Sequence, residues 1–271
     1  MSGSRSLPER IARHLGPVPR SGIRDFFEVV STMQGVVSLG IGEPDFDTPW
    51  HVREAAIFAL ERGATHYSSN LGLPALRREI ASYVSRTFGV EYDAESEILV
   101  TVGVSEATDL AVRALLNPGD EALYHEPCYV SYNPLIQFAH GRPVAVATRP
   151  ENGFRLSRDE LEKAVTPRTK CLLMNYPNNP TGAKLDGADL AAIAEFVREK
   201  DLLVITDEIY GELTYESRHE SFAALPGMKE RSILLHGMSK AWAMTGWRIG
   251  FACAPAPIIE AMVKIHQYSM L

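Results

Sequence analysis

The sequence predicts an α/β protein with three layers, in which helices cover both faces of a mostly parallel central sheet. Two observations carry that reading. Short β-rich apolar runs alternate along the chain with segments whose apolar residues recur at helical spacing. The apolar runs are only a few residues long, as strands buried between helices are.

The first convincing strand is "EILVTVG" (97–103), followed by "SEATDLAVRALL", a helix whose start offers Ser105 and Glu106. "PGD" turns the chain into the strand "EALYHEP" (121–127), and "PVAVAT" (143–148) and "KCLLMNYP" (170–177) come after it. "DGADLAAIAEFVREK" (186–200) reads as an amphipathic helix, acidic at its start and basic at its end, as the helix dipole prefers. "LLVITDE" (202–208), "SILLHG" (232–237) and "RIGFACA" (248–254) complete the strands, and "PIIEAMVKIHQYSML" closes the chain as a helix. The start, "MSGSRSLPERIARHLGPVPR", is arginine-rich without the apolar centre of a secretion signal, and reads as an arm leading to "SGIRDFFEVV".

The 271 residues are 45% hydrophobic and 23% charged, an ordinary globular composition with room for a large core. A formal net charge of -7 argues against nucleic acid as a partner, because phosphate binding needs a basic face. No apolar run reaches the roughly 18 residues of a membrane span. Cys128, Cys171 and Cys253 are scattered and match no metal or redox spacing, which fits a reducing compartment and the cytoplasm. The eight histidines form no metal-binding pair, and no serine sits in a G-x-S-x-G elbow.

In parallel sheets ligands gather beyond the carboxyl ends of the strands. The residues there are "VSEA", "EPCY", "NNPTG", "DEIY" and "GMSK". Taken singly, several have plain readings. "LLVITDEIY" resembles a magnesium-holding strand, but the chain has no phosphate loop of the form G-x-x-x-x-G-K-[ST] to go with it. "NYPNNPTG" is dense in turn formers. Tyr129 reads as a packing aromatic, and Tyr67 sits in a polar loop where a partner could reach it. Together they make a sharper pattern. An aspartate, a lysine and an arginine at successive strand ends, with a tyrosine and an asparagine, is what pyridoxal 5′-phosphate requires. The amine condenses with the aldehyde, the carboxylate keeps the pyridine nitrogen protonated, and a helix N-terminus with Arg248 takes the phosphate.

With these motifs the sequence resembles the class I/II aminotransferases of pyridoxal-phosphate fold type I, in the aspartate aminotransferase-like branch. The resemblance runs through "SGIRDFF", "LGIGEPDFDTP", "HYSSNLGLPALR", "TVGVSEA", "NYPNNPTG", "ITDEIY" and "SKAWAMTGWRIGF", in the family's order. By position it implies that Lys240 binds the cofactor covalently and acts as base, and that Asp207 partners the pyridine nitrogen. Tyr210, a helical-turn step beyond Asp207, and Asn179 then share the ring oxygen, and Tyr129 stacks on the ring. Val104, Ser105 and Glu106 line up with the phosphate-cradling turn, Arg248 with the phosphate arginine, and Gly42 with a backbone that substrate approaches. Tyr67 matches a tyrosine that reaches the neighbouring subunit's phosphate, which implies a homodimer with shared sites.

The activity so implied is ping-pong transfer of an amino group between an L-amino acid and a 2-oxo acid. A β-eliminating lyase would share every residue named, and an inactive cofactor-binding fragment is the other alternative. Many relatives carry a serine three residues before the lysine, where this chain has Gly237, so the role of the adjacent Ser239 stays open. The resemblance divides the chain into an arm and start of a small domain (1–38) and a large cofactor-binding domain (39–271). It also implies a truncated chain, because relatives continue past a point like Leu271 to complete the small domain and supply an arginine for the substrate carboxylate. On that expectation Ile258, Ile259, Met262 and Ile265 of the last helix are left partly exposed.

Overall fold

Among the described residues, seven strands form one sheet: β1 (Ile98–Val102), β2 (Glu121–Glu126), β3 (Arg142–Ala147), β4 (Thr169–Asn175), β5 (Leu203–Asp207), β6 (Ser232–Gly237) and β7 (Ile249–Cys253). The structure is a computed structural model that describes residues 6–19, 29, 32, 33, 35, 36, 40 and 42–270. "SGIRDFF" and the 38/39 boundary lie outside the described residues. The strand order is β1-β7-β6-β5-β4-β2-β3, with β7 antiparallel to both its neighbours and every other pairing parallel. The mostly parallel sheet is as the sequence predicts.

The helices that accompany this sheet are α1 (Trp50–Glu61), α2 (Pro74–Phe88), α3 (Gly103–Leu115), α4 (Tyr132–Phe138), α5 (Arg158–Ala164), α6 (Gly187–Glu199), α7 (Met238–Ala241) and α8 (Ala256–Ser269). Period-two alternation splits the strands between two faces. Leu173, Ile205 and Leu235 face α3, α4 and α8, meeting Leu110, Ile136, Ile259 and Met262. Leu172, Met174 and Val204 face the other way, against Leu161 of α5 and Ile193, Phe196 and Val197 of α6. Ile98, Leu234 and Phe251 meet Ile80, Val84 and Phe88 of α2. The result is an αβα sandwich.

Two expectations change. Ile259 and Met262 are fully buried, because α8 lies on α3 and the β1 side of the sheet; Ile258 and Ile265 are half-buried. The helix after β1 begins at Gly103, two residues before Ser105, and no side chain of its cap residue Val102 closes it. Helix α6 is capped as its sequence suggests, with Asp186 accepting from Ala188 N and Asp189 N.

Candidate active site

Register places the chemistry. Asn175 at the end of β4 pairs with Asp207 at the end of β5, which pairs with Leu235 of β6. The residues just beyond each of these strands therefore share one edge of the sheet, and there they surround a cavity of about 420 Å³. Lys240, Asp207, Tyr210, Asn179, Tyr129, Val104, Ser105, Arg248 and Gly42 all line it. Arg248 comes there by a different route from the others. It precedes β7, and only because β7 runs antiparallel does the start of that strand meet the carboxyl ends of the rest.

Asp207 is the last residue of its strand and 5% exposed. Its Oδ2 accepts from Tyr132 Oη at 2.8 Å and its Oδ1 from the Ile209 N–H at 3.1 Å. Burial pushes its carboxyl up to about 6, and the hydrogen bonds from Tyr132 and Ile209 restrain the rise. Glu208, the other half of the "DE" pair, turns to the opposite side. There it accepts from Ser221 Oγ, the Phe222 N–H and Thr206 Oγ1 and meets His219 Nε2 at 2.7 Å. Strand alternation decides which acid faces the cavity.

Lys240 comes after β6 on the one-turn helix α7. Its Nζ donates to the Gly42 carbonyl and lies 5.8 Å from the centre of the Tyr210 ring. Desolvation, helped by the Arg248 charge, lowers its pKa below the ordinary lysine value, and Glu43 opposes the shift. A set of bonds holds the 42–48 segment over this lysine. Thr245 Oγ1 donates to Glu43 Oε1 at 2.8 Å, Trp247 Nε1 to Thr48 Oγ1 at 3.0 Å, and Thr48 Oγ1 to the Ala243 carbonyl at 2.5 Å.

The "NYPNNPTG" turn divides its asparagines by task. Asn178 Oδ1 accepts from the Thr181 N–H, and Asn175 Oδ1 from the Asn179 N–H at 2.9 Å, while Asn175 Nδ2 donates to the Asp207 carbonyl. Asn179 is left facing the cavity, with Nδ2 3.5 Å from Tyr210 Oη. Tyr210 itself stands in a turn after β5, where Gly211 N–H donates to the Glu208 carbonyl at 2.8 Å, so its three-residue step from Asp207 is not helical. Tyr129 meets Tyr132 edge-on, with ring centres 5.7 Å apart.

At the other end of the cavity α3 presents its N-terminus. Gly103 holds a φ of +72°, and a Cβ on it would stand 2.9 Å from Arg248 Cζ, so the guanidinium lies directly on this turn. Arg248 is itself in the left-handed region, with φ 57° and ψ 49°, and donates to the Thr245 carbonyl. A Cβ on Gly250 would come within 2.6 Å of Val104 N, and one on Gly237 within 2.9 Å of Gly250 Cα. Close approach of β6, β7 and α3 thus explains the glycine at 237, where a serine side chain has no room. Ser239, buried and lining the cavity, offers the hydroxyl on this side.

One expected residue stands elsewhere. The Glu106 side chain does not line the cavity; it turns back within its own helix and toward α8. Tyr67 is 94% exposed and outside this chain's cavity. Tyr132, Thr108, Asn175, Glu43 and Thr245 line the cavity although their sequence context does not single them out. Tyr132 carries a signal only in hindsight: a tyrosine on a short helix after "EPCYVS" reads as ordinary packing.

The site fits pyridoxal 5′-phosphate on its donor set. A buried carboxylate and a half-buried amine line one cavity, and an arginine meets a helix N-terminus where a phosphate would lie. No cluster of metal-binding side chains occurs among the described residues.

Comparison with known proteins agrees with this picture. A family profile described as aminotransferase class I and II matches residues 34–270. The chain is 49% identical over 250 residues to an aspartate aminotransferase of Pyrococcus abyssi, covering 92% of this chain and 64% of that protein. It is 45% identical over 260 residues to aromatic-amino-acid aminotransferase 2 of Thermococcus litoralis, covering 96% of this chain and 67% of the relative. The solved Thermus thermophilus aspartate aminotransferase with maleate superposes with a TM-score of 0.90 at 41% identity, covering 96% of this chain and 68% of that one. The chain thus spans about two thirds of the length of these relatives.

Proposed function

Because the chain belongs to the class I and II aminotransferase family, we propose that the protein moves an amino group between an L-amino acid and a 2-oxo acid in two half-reactions on pyridoxal 5′-phosphate. One observation carries the reading. Asp207 ends β5 and Lys240 follows the adjacent parallel strand β6, and both line one cavity, the carboxylate buried and the amine half-buried.

Pyridoxal 5′-phosphate, when bound, supplies an aldehyde carbon for amines and a ring that takes up the electron pair left at the substrate α-carbon. Lys240 Nζ would anchor it, and the same amine would receive and return the proton of the substrate α-carbon. The lowered pKa of this lysine raises the share of neutral amine that such a base needs. Asp207 holds the proton on the ring nitrogen, since a cation beside a buried carboxylate stabilises both charges. Tyr210 and Asn179 share the ring oxygen, and Tyr129 covers the ring face. Arg248, Ser105 and Val104 hold the phosphate, and Gly42 borders the substrate. These assignments are supported by the shared cavity.

Tyr67 serves the phosphate of a second copy in a homodimer, a reading supported by its exposure and by the exposed Trp50, Ile57, Phe58 and Leu60 of α1. The cytoplasm is the compartment that suits three unpaired cysteines. No helix among the described residues is long and apolar enough to cross a membrane.

The test is to add pyridoxal phosphate, reduce with borohydride and map the peptides. The label is expected on Lys240, and label on another lysine refutes the assignment. A separate, unreduced sample incubated with amino acids and 2-oxoglutarate should yield glutamate. Release of ammonia and a 2-oxo acid without glutamate would assign β-elimination instead.

A further inference from the structure

Glu106 is an acidic residue in the first turn of the helix that faces the cavity, and it is 8% exposed. Both of its carboxylate oxygens are engaged away from the cavity. Oε2 accepts from the Val102 N–H at 2.5 Å, and Oε1 is hydrogen-bonded with Nδ1 of His266 at 2.7 Å. His266 lies on α8, 160 residues along the chain, and is itself 9% exposed.

The free N–H groups of a helix N-terminus attract any nearby carboxylate as readily as they attract phosphate. A glutamate in that first turn therefore competes with the phosphate for the same donors and repels its charge. Val104 and Ser105, its immediate neighbours, line the cavity while Glu106 does not. Two contacts hold Glu106 aside, the Val102 N–H at one oxygen and His266 at the other, and of these only His266 draws it toward α8.

We propose that His266 is a positioning residue for the cofactor phosphate: it holds the Glu106 carboxylate back toward α8 and leaves the exposed end of α3 to the anion. Without His266 the Glu106 carboxylate keeps only the Val102 N–H, and its freed oxygen turns to the other N–H groups at the start of α3. The inference rests on the cofactor assignment above, and it places part of the phosphate's affinity in a helix that does not touch the cavity.

The experiment measures binding directly, by titrating the intact chain with pyridoxal 5′-phosphate, inorganic phosphate and unphosphorylated pyridoxal. If the unaltered protein binds pyridoxal phosphate no better than pyridoxal, the phosphate-site assignment itself is wrong. If it prefers the phosphate, His266→Leu should weaken both phosphate-bearing ligands about tenfold and leave pyridoxal unchanged. Adding Glu106→Gln to that variant should restore phosphate affinity to within about twofold of the original, because the competing charge is gone. Equal loss for pyridoxal, or no restoration in the double variant, overturns the proposal. Should His266→Leu fail to fold, Glu106→Gln alone decides: phosphate affinity retained or raised supports the proposal, and a tenfold loss overturns it.

Discussion

Tyr132 Oη donates to Asp207 Oδ2 at 2.8 Å, and neither side chain reaches solvent to any useful extent. The tyrosine on α4 thus tunes the charge state of a carboxylate 75 residues away at the end of β5. Tyr132→Phe keeps the ring and removes the donor. Loss of a hydrogen bond to a buried charge should lower stability at pH 8 by about 1–3 kcal/mol. At pH 4, where Asp207 is neutral, the loss should be smaller. Urea unfolding at both pH values checks this, and equal losses would refute it.

Asp207→Ala should slow the first half-reaction far more than it weakens cofactor binding, since Arg248, Ser105 and Lys240 still hold the ligand. Removing about 3 kcal/mol of transition-state stabilisation corresponds to a hundredfold or more in rate. Stopped-flow absorbance after mixing with an amino acid measures the rate, and near-normal turnover would rule the role out.

Asp207 should contribute a loss of stability as pH rises from about 4 to about 6, against the gain over the same window from buried His125 and His236, whose pKa values burial lowers. Burial raises the Asp207 carboxyl to about 6, so across that window the folded chain keeps a proton that the unfolded chain has released. The contribution is therefore full below the unfolded value and lost as pH rises through the folded one. Two units amount to about 3 kcal/mol. Asp207→Asn should remove this downward contribution, so that stability rises more steeply with pH across the window in denaturant titrations, and an unchanged slope would refute it.

Gly250→Ala should damage the phosphate end of the site. The added Cβ would press on the Val104 backbone nitrogen, 2.6 Å away, and backbone atoms yield little. Overpacking of this kind costs about 1–3 kcal/mol. The expected result is a lower melting temperature together with weaker pyridoxal phosphate binding, and an alanine variant that binds normally would contradict the close packing of β7 on α3.

All seven strands are legible in the sequence because each is a short apolar run bounded by turn formers, and burial of a local segment leaves its mark on local composition. Lys240, Asp207 and Asn179 are legible for a related reason. Each stands at or just past the end of a strand, and parallel strands bring their carboxyl ends to one edge. The resemblance in "ITDEIY" and "SKAWAMTGWRIGF" adds roles to those positions.

Tertiary structure alone decided the rest. The direction of β7 depends on pairing with β6 and β1, and that direction is what carries Arg248 to the cavity. Gly237 is explained only by the backbone of β7 lying against it. Tyr132 meets Asp207, and Glu106 meets His266, through packing of α4 and α8 against the sheet and α3. A sequence records which residues favour burial or a turn; which buried polar groups find one another depends on contacts between segments that share no local pattern.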